Sequence, residues 1–263
     1  REAAPALARA LGDPVMEVHW QAVTALGSLG RAAVPELIRS LQSTHAVVRR
    51  GAVHALGRIP SGWEPALPAL VEALEDNDPQ VRAAAAESLA ALAGRGGLIQ
   101  MRLIEALERG QGPGPEAAAK VIAGMEQGLR AAIPALRKLA REGTAPSRRQ
   151  ALETLGVLRA ADADSVALFI GGLEDADPQV RLASVKALAQ VSWRAGPAVE
   201  KLASLLSDPS VEIRQWTALT LGRMGAQART ATARLEAALK DEAEPVRAAA
   251  RQALERIQGQ SPP

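Results

Sequence analysis

The sequence contains no cysteine and very few aromatic residues. The absence of thiols excludes disulfides and thiolate metal sites. With a single Phe and no Tyr, the core must be built from aliphatic side chains, and the hydrophobic share of 48% is ample for one. Ala, Leu, Arg and Glu dominate the composition, and these residues favour helices. The composition therefore predicts an all-α protein.

Long apolar runs and an excess of one charge are also missing. No run of about 18 apolar residues occurs, which argues against a membrane-spanning helix. The 31 basic and 29 acidic residues are mixed along the chain, for a net charge of +2, so no one-sign field attracts nucleic acid. The first residue is Arg and no signal-peptide pattern follows. This fits a processed product and a fragment of a longer protein equally well, and the compartment stays open.

The sequence repeats itself. DNDPQVRAAAAESLAAL at 76–92 returns as DADPQVRLASVKALAQV at 175–191. With Arg82 as a marker, steps of 33 residues, and one final step of 30 back to His19, divide the chain into eight repeats. Apolar residues recur at offsets −1, +3, +7 and +10 from the marker, which lie on one helical face. The +7 column reads Leu26, Leu56, Leu89, Ile122, Leu155, Leu188, Leu221 and Leu254.

A second column of leucines precedes each marker, so each repeat is predicted to be an antiparallel helix pair, helix A and then helix B. A single pair cannot bury its apolar face alone, whereas stacked pairs form a continuous core. We expect a right-handed α-solenoid of about eight antiparallel pairs over 1–258 and a polar tail at 259–263. The predicted repeats are 1–30, 31–60, 61–94, 95–127, 128–160, 161–193, 194–226 and 227–258.

The repeat at 95–127 is irregular. RGQGPGPEAAAK at 109–120 replaces the Asp, Val and Arg of the marker, although Ile122 and Met125 keep their columns. Glycine is costly in helices and permissive in loops. Two interpretations stay open: a drifted repeat with a looser loop, or a bend that separates two arms.

Local signals predict where the B helices begin and end. Asp-Pro suits the start of a helix, because Asp caps it and Pro tolerates the first turn; the pairs begin at Asp13, Asp78, Asp177 and Asp208. Glycine stops are predicted at Gly30, Gly94 and Gly225. At the small +3 position, the hydroxyls of Ser184 and Thr217 are predicted to bond to a carbonyl one turn earlier.

The pattern P-x-L…L-x-D-x-D-P-x-V-R-x-x-A-x-x-A-L-G-x-L resembles the HEAT repeat, and most closely the short bacterial HEAT-like form named after phycobilisome lyases. AAVPELIRSL at 32–41 and VRRGAVHALGRI at 48–59 carry the resemblance. It implies that the marker arginines pair with Asp residues of the inter-helix turns in a structural ladder, although a column of Arg could also bind phosphates. These ladder arginines are Arg49, Arg82, Arg148, Arg181, Arg214 and Arg247.

The open face of the B helices is predicted from offsets +1 and +5, together with Trp216 at +2. Trp and Arg are common anchors of protein interfaces, and apolar members of this face would favour a partner. The candidate groove residues are Trp20, Arg50, His54, Arg149, Leu182, Trp216 and Leu219. For the two tryptophans of this set, packing within the protein is the alternative. Trp63 and Trp193 each follow a B helix and are predicted to plug the loop there.

No catalytic or metal-binding motif is found. The three histidines form no His-x-x-His or Glu-x-x-His pair and no His-Glu dipeptide, and no phosphate-binding loop follows a strand. We therefore expect no cofactor, no metal and no enzyme activity, but a scaffold or adaptor whose B-helix groove binds another protein. The resemblance leaves two alternatives open: a bilin lyase-like protein, and a HEAT-like protein that binds nucleic acid.

Overall fold

A computed structural model describes residues 3–93, 97–110, 112–125 and 129–259. These residues form helices, turns and loops, with no strand among them, which confirms the all-α prediction. The chain divides into two compact units, Arg1–Ala131 and Ala132–Pro263, called here the N-terminal and C-terminal units. The boundary lies four residues after the predicted end of the irregular repeat at 127.

In the N-terminal unit, odd-numbered helices are A helices and even-numbered helices are B helices. The α-helices are α1 (Ala3–Ala10), α2 (Met16–Leu29), α3 (Val34–Ser40), α4 (Ala46–Arg58), α5 (Leu67–Glu72), α6 (Pro79–Ala93), α7 (Gly97–Glu108) and α8 (Pro113–Ala123). Short 3-10 helices cover Gly30–Ala33, Glu64–Ala66 and Ala73–Glu75, and another, Arg130–Ala132, spans the boundary. Each B helix packs against its own A helix, and α2, α4, α6 and α8 pack on one another in sequence, as stacked pairs require.

The C-terminal unit repeats this arrangement. Its α-helices are α9 (Ile133–Glu142), α10 (Ala145–Val157), α11 (Ala163–Gly172), α12 (Pro178–Gln190), α13 (Val199–Ser204), α14 (Val211–Met224), α15 (Thr232–Ala238) and α16 (Glu244–Gly259). Its 3-10 helices cover Ser192–Arg194, Gly196–Ala198, Leu205–Ser207 and Gly225–Ala231. The B helices α10, α12, α14 and α16 pack on one another in sequence.

The repeat columns form the core. Every residue of the +7 column is buried, and so is every residue of the small +3 column. Small side chains at +3 allow neighbouring helices to approach closely. The back-bonds predicted for Ser184 and Thr217 are wrong, because both hydroxyls are buried without a hydrogen-bond partner among the described residues.

Two of the four Asp-Pro pairs begin a helix as predicted. Asp78 and Asp177 accept hydrogen bonds from the backbone N–H two residues later, at the first turns of α6 and α12. The prediction is wrong for Asp13 and Asp208. Their carboxylates accept from the N–H of Val15 and Ser210, and the helices begin only after those residues. In these two repeats the Asp-Pro pair lies two positions earlier relative to the marker than in the other two.

The glycine stops follow from backbone geometry. Gly30 and Gly225 directly follow α2 and α14 with positive φ angles of 60° and 57°. This left-handed region favours glycine because it has no Cβ. Gly94 and the tail after 259 lie outside the described residues.

Candidate functional site

One arginine ties two consecutive inter-helix turns together. In the N-terminal unit, Nη1 of Arg49 donates to the carbonyls of Ser43 and Thr44, at 2.8 and 3.2 Å, in the turn of its own repeat. Its Nε and Nη2 donate to the two carboxylate oxygens of Asp76 in the next repeat, at 2.7 and 2.8 Å. This fork-to-fork geometry is the strong form of the Arg–carboxylate pair. The hydrogen bonds from Arg49 lower the pKa of Asp76.

The C-terminal unit repeats this bridge three times. The bidentate pairs are Arg148–Asp175, Arg181–Asp208 and Arg214–Asp241, with N–O distances of 2.7–3.3 Å. Hydrogen bonds from Arg214 lower the pKa of Asp241. Burial acts to raise the pKa of Asp175, but the bonds from Arg148 and the backbone outweigh it and the pKa falls.

Arg82 and Arg247 depart from the ladder. Arg82 keeps the bonds to the carbonyls of its own turn, at Asp76 and Asn77. Asp76 follows Arg49 by 27 residues, whereas the residue 27 positions after Arg82 is Arg109. Arg247 belongs to the last repeat and pairs with Glu244 within α16.

The first repeat has its own substitute for the marker arginine. His19 is buried, and its Nδ1 lies 2.8 Å from the carbonyl of Leu11, so Nδ1 carries a proton and donates it. Its Nε2 is buried with no partner among the described residues. Gly51 of α4 faces the ring, where a Cβ would meet the imidazole at 2.9 Å. A glycine at this point therefore makes room for the histidine.

The irregular repeat begins its B helix with an unusual contact. Gly112 precedes α8 with a φ angle of 86°, and the N–H of Gly114 donates to a carboxylate oxygen of Glu75 at 3.1 Å. The carboxylate lies where a Cβ on Gly114 would be. A helix N-terminus favours a negative charge, because its N–H groups lack intrahelical acceptors. The glycines make this repeat hard to recognise in the sequence. In the structure they leave space for the Glu75 carboxylate beside the first turn of α8.

The candidate groove residues of the N-terminal unit lie together. The rings of Trp20 on α2 and His54 on α4 are 5.2 Å apart between centroids. Trp20 remains 37% exposed. Arg50, one turn before His54, bonds to Gln80 at the start of α6. Burial lowers the pKa of His54, so its imidazole is neutral at pH 7. The result is a surface with aromatic rings on α2 and α4 that a side-chain hydrogen bond from Arg50 connects to α6.

In the C-terminal unit the same face is less uniform. Nζ of Lys186 on α12 lies 5.1 Å from the centroid of the Trp216 ring and 3.1 Å from a carboxylate oxygen of Glu212. Leu219, one turn after Trp216, is partly exposed. Arg149 on α10 lies 4.0 Å from Glu153.

The exposure of Leu182 and Trp193 differs from prediction, whereas that of Trp63 agrees with it. Leu182 is buried, with 6% of its surface exposed, and so offers little to a partner. Its offset predicts the helical face on which it lies but not this burial. Trp63 is buried beside the 3-10 helix that follows it, as the loop-plug prediction requires. Trp193 is 54% exposed, and the same prediction is wrong for it.

A groove that the sequence analysis missed lies between α6 and α8. Its volume is about 400 Å³. Small residues form much of its lining: Ala83, Ala86, Ala90, Ala117 and Gly124. Arg82, Glu87, Glu116 and Lys120 also line it. The run of alanines at 83–86 was the available signal, because alanine on an outward helix face leaves space between neighbouring helices.

Metal binding and membrane insertion have no support in the described residues. Within the described ranges, no three His, Asp or Glu side chains are grouped so that they could bind a metal ion. Over the same ranges, no helix combines the length and the apolar character needed to cross a bilayer.

A family model described as HEAT repeats matches residues 3–90 and 166–255, more than half of the chain. This chain belongs to the HEAT-repeat family. The unmatched stretch between them contains the irregular repeat. No curated protein is a significant match to this HEAT-repeat chain.

Solved structures similar to this HEAT-repeat protein support the fold. The Escherichia coli protein YibA has a TM-score of 0.65 at 20% identity, with coverage of 97% of this chain and 95% of YibA. A chain of the complex in which Kap95p binds RanGDP has a TM-score of 0.65 at 14% identity, with coverage of 98% and 40%. An engineered protein has a TM-score of 0.55 at 21% identity, with coverage of 98% and 79%. At these identities the likeness concerns the fold alone.

Proposed function

We propose that this HEAT-repeat protein is a non-catalytic scaffold or adaptor whose B-helix face binds another protein. The observation that carries the proposal is the surface of Trp20, Arg50 and His54. Large aromatic and arginine side chains dominate the energy of protein interfaces. Here they are held by contacts between consecutive helices, so little side-chain freedom remains to be lost on binding. The fold supports the same role, since stacked helix pairs present extended surfaces.

The charges on this face favour a protein over nucleic acid. The face that carries Arg50 has Glu87 in the next repeat, at the position of His54, and Lys186 is paired with Glu212. A surface that binds the phosphate backbone gains affinity from unopposed cations, which this alternation does not supply. A bilin lyase activity has no specific observation in its favour.

Affinity capture from the source cell tests the proposal. The immobilised wild type is compared with a Trp20→Ala, Arg50→Ala, His54→Ala triple variant. A matched control replaces three exposed A-helix residues: Arg39→Ala, Glu72→Ala, Glu105→Ala. Bound proteins are quantified by mass spectrometry.

We expect one protein to be retained by the wild type and by the A-helix control. Its recovery should fall at least tenfold with the Trp20→Ala, Arg50→Ala, His54→Ala variant. A partner retained equally by all three proteins contradicts the assignment of the face. Recovery of nucleic acid or a pigment in place of a protein contradicts the proposed function itself.

A further inference from the structure

Arg82 is the one interior member of the arginine ladder whose following repeat supplies no aspartate. The four bridging arginines bind a carboxylate through Nε and Nη2. Arg82 bonds through Nη1 to the carbonyls of Asp76 and Asn77, and no carboxylate among the described residues pairs with it. Its guanidinium is thus held in place at one edge, as in the other repeats, while the carboxylate-binding edge has no protein partner there.

Arg82 also lines the groove between α6 and α8. The groove runs from Pro79 and Pro113, where the helices begin, to Ala90 and Gly124. The twelve residues from Pro79 to Ala90 span about 17 Å, or three turns. The alanines leave enough space for large apolar side chains of a second helix, and small residues allow two helices to approach closely. Lys120 adds a second cation to the lining, and Glu87 and Glu116 add two carboxylates, so the preference for an acidic side chain rests on Arg82.

We propose that this groove binds a short helical segment of the partner protein, one that carries an Asp or Glu side chain close to large apolar residues. The carboxylate binds Arg82 as Asp76 binds Arg49, and the apolar side chains cover the alanines. The partner would thus supply the carboxylate that other repeats obtain from the next turn. This inference rests on the proposed protein-binding function and identifies the chemistry of the segment recognised.

The N-terminus of α8, where the groove begins at Pro113, is already bonded to a carboxylate of this chain. Glu75 already occupies the N-terminus of α8 through its bond to Gly114. A carboxylate of the segment would therefore bind a side-chain cation of the groove rather than the helix end, and Arg82 is the one with a bidentate edge. A bidentate carboxylate pair fixes direction as well as affinity, so Arg82 would set the position of the segment along the groove.

Selection of displayed random dodecapeptides on the chain of residues 1–263 tests the proposal. Enriched peptides are synthesised, and their Kd values are measured by fluorescence polarisation against four proteins: the wild type, Arg82→Met, Arg109→Asp and Arg9→Asp. Arg109→Asp restores an aspartate at the ladder position and competes for Arg82. Arg9→Asp makes the same charge change on exposed α1 and serves as the matched control. Urea midpoints are recorded for every variant.

We expect enriched peptides with an acidic residue at a constant spacing from Leu, Met or Phe. Arg109→Asp should weaken their binding at least tenfold while it raises the urea midpoint, so that the loss cannot come from unfolding. Arg82→Met should weaken binding similarly, and Arg9→Asp by less than twofold. An unchanged midpoint in Arg109→Asp would mean that the introduced carboxylate does not pair with Arg82, and Arg82→Met then decides alone.

The proposal is overturned if no peptide is enriched, or if Arg82→Met leaves the Kd within twofold of the wild type. Such a failure is distinguishable from failure of the proposed function. If affinity capture still retains a protein through Trp20, Arg50 and His54, the scaffold role stands. Only the proposed binding of a helical segment between α6 and α8 is then wrong.

Discussion

At the residue scale, the ladder arginine acts both within its repeat and between repeats. Arg214 satisfies carbonyls of its own turn and binds Asp241 of the next. The two side chains are only 8% and 9% exposed. Removal of one member of a buried pair leaves the other charge without compensation, which costs more than the pair contributes. The ladder therefore makes the register between neighbouring repeats sensitive to single substitutions.

Arg214→Met is expected to lower the free energy of unfolding by about 3 kcal/mol, because Asp241 stays buried without its partner. Arg39→Met is the control: Arg39 pairs with Glu36 but is 71% exposed. Exposed pairs contribute about 0–1 kcal/mol. Urea unfolding of both variants measures the difference. Equal losses would contradict a structural role for the ladder.

The Arg–Asp pairs of the ladder, and one further pair between Arg137 and Asp162, predict a loss of stability in acid. The Arg partners lower the pKa values of Asp76 and Asp241. Burial acts to raise the pKa of Asp162, but bonds from Arg137 and Ser165 outweigh it and hold the pKa at about 2. A carboxyl whose pKa is lower in the folded chain stabilises the fold above the unfolded pKa, near 3.9. That contribution is lost as the pH falls through the folded pKa.

We therefore expect the free energy of unfolding to fall between about pH 4 and pH 2. A double variant, Arg148→Met with Asp175→Asn, removes one pair and should show a shallower fall. Urea unfolding at several pH values tests this. An identical pH dependence in the two proteins would count against the assignment to these pairs.

The hydroxyl of Ser184 offers a test of opposite sign. It is buried without a hydrogen-bond partner among the described residues, so Ser184→Ala should raise the free energy of unfolding by up to about 1 kcal/mol. Ser88→Ala is the matched comparison, because Ser88 Oγ donates to the carbonyl of Val53 at 3.1 Å. Its loss should cost about 1 kcal/mol. Destabilisation of similar size in both variants would show that Ser184 has a partner after all.

At the element scale, the irregular repeat keeps its helix pair by exchanging one anchor for another. Its B helix α8 has lost the marker arginine but receives Glu75 at its N-terminus. The glycines that make this stretch look like a loop in the sequence are the residues that allow the carboxylate to approach. Helix α8 is thus held to the preceding repeat by a helix-end contact rather than by the ladder.

Gly114→Ala tests this anchor. Alanine favours a helix by about 1 kcal/mol relative to glycine, but here its Cβ would displace Glu75, so we expect net destabilisation of about 1 kcal/mol or more. Gly171→Ala in α11 is the control, since its Cβ would meet no atom within 4 Å. It should stabilise by up to about 1 kcal/mol. A stabilising Gly114→Ala would contradict the anchor. Both are measured by urea unfolding.

Most helices could be predicted from the sequence, because burial repeats with a fixed period. The +7 leucines and the small +3 residues are buried as their spacing requires. Contacts decided by the neighbouring repeat could not be predicted in this way. Leu182 and Trp193 occupy positions that look equivalent to others, yet one is buried and the other exposed. The offset of a residue fixes its helical face, whereas its exposure depends on the size of the side chains packed beside it.

At the scale of the whole molecule, the chain comprises two compact units that meet in sequence just after the irregular repeat. The HEAT-repeat matches fall on either side of this region. Both the number of repeats and their continuity as one solenoid over 1–258 stay predictions, and the repeat at 95–127 stays open to both interpretations, a drifted repeat with a looser loop or a bend. Within each unit, the stacked B helices place residues of successive repeats side by side. We expect binding to use this neighbourhood rather than any single residue.

Site-specific photo-crosslinking tests the central claim, that the B-helix face binds a partner protein. A benzophenone amino acid is introduced at Thr24, exposed on α2, or at Glu72, exposed on α5, and each protein is irradiated in extract of the source cell. The account predicts a discrete protein adduct from position 24, lost in the Trp20→Ala, Arg50→Ala, His54→Ala background, and none from position 72. An adduct from position 72 alone, or one from position 24 that survives the triple substitution, would contradict it.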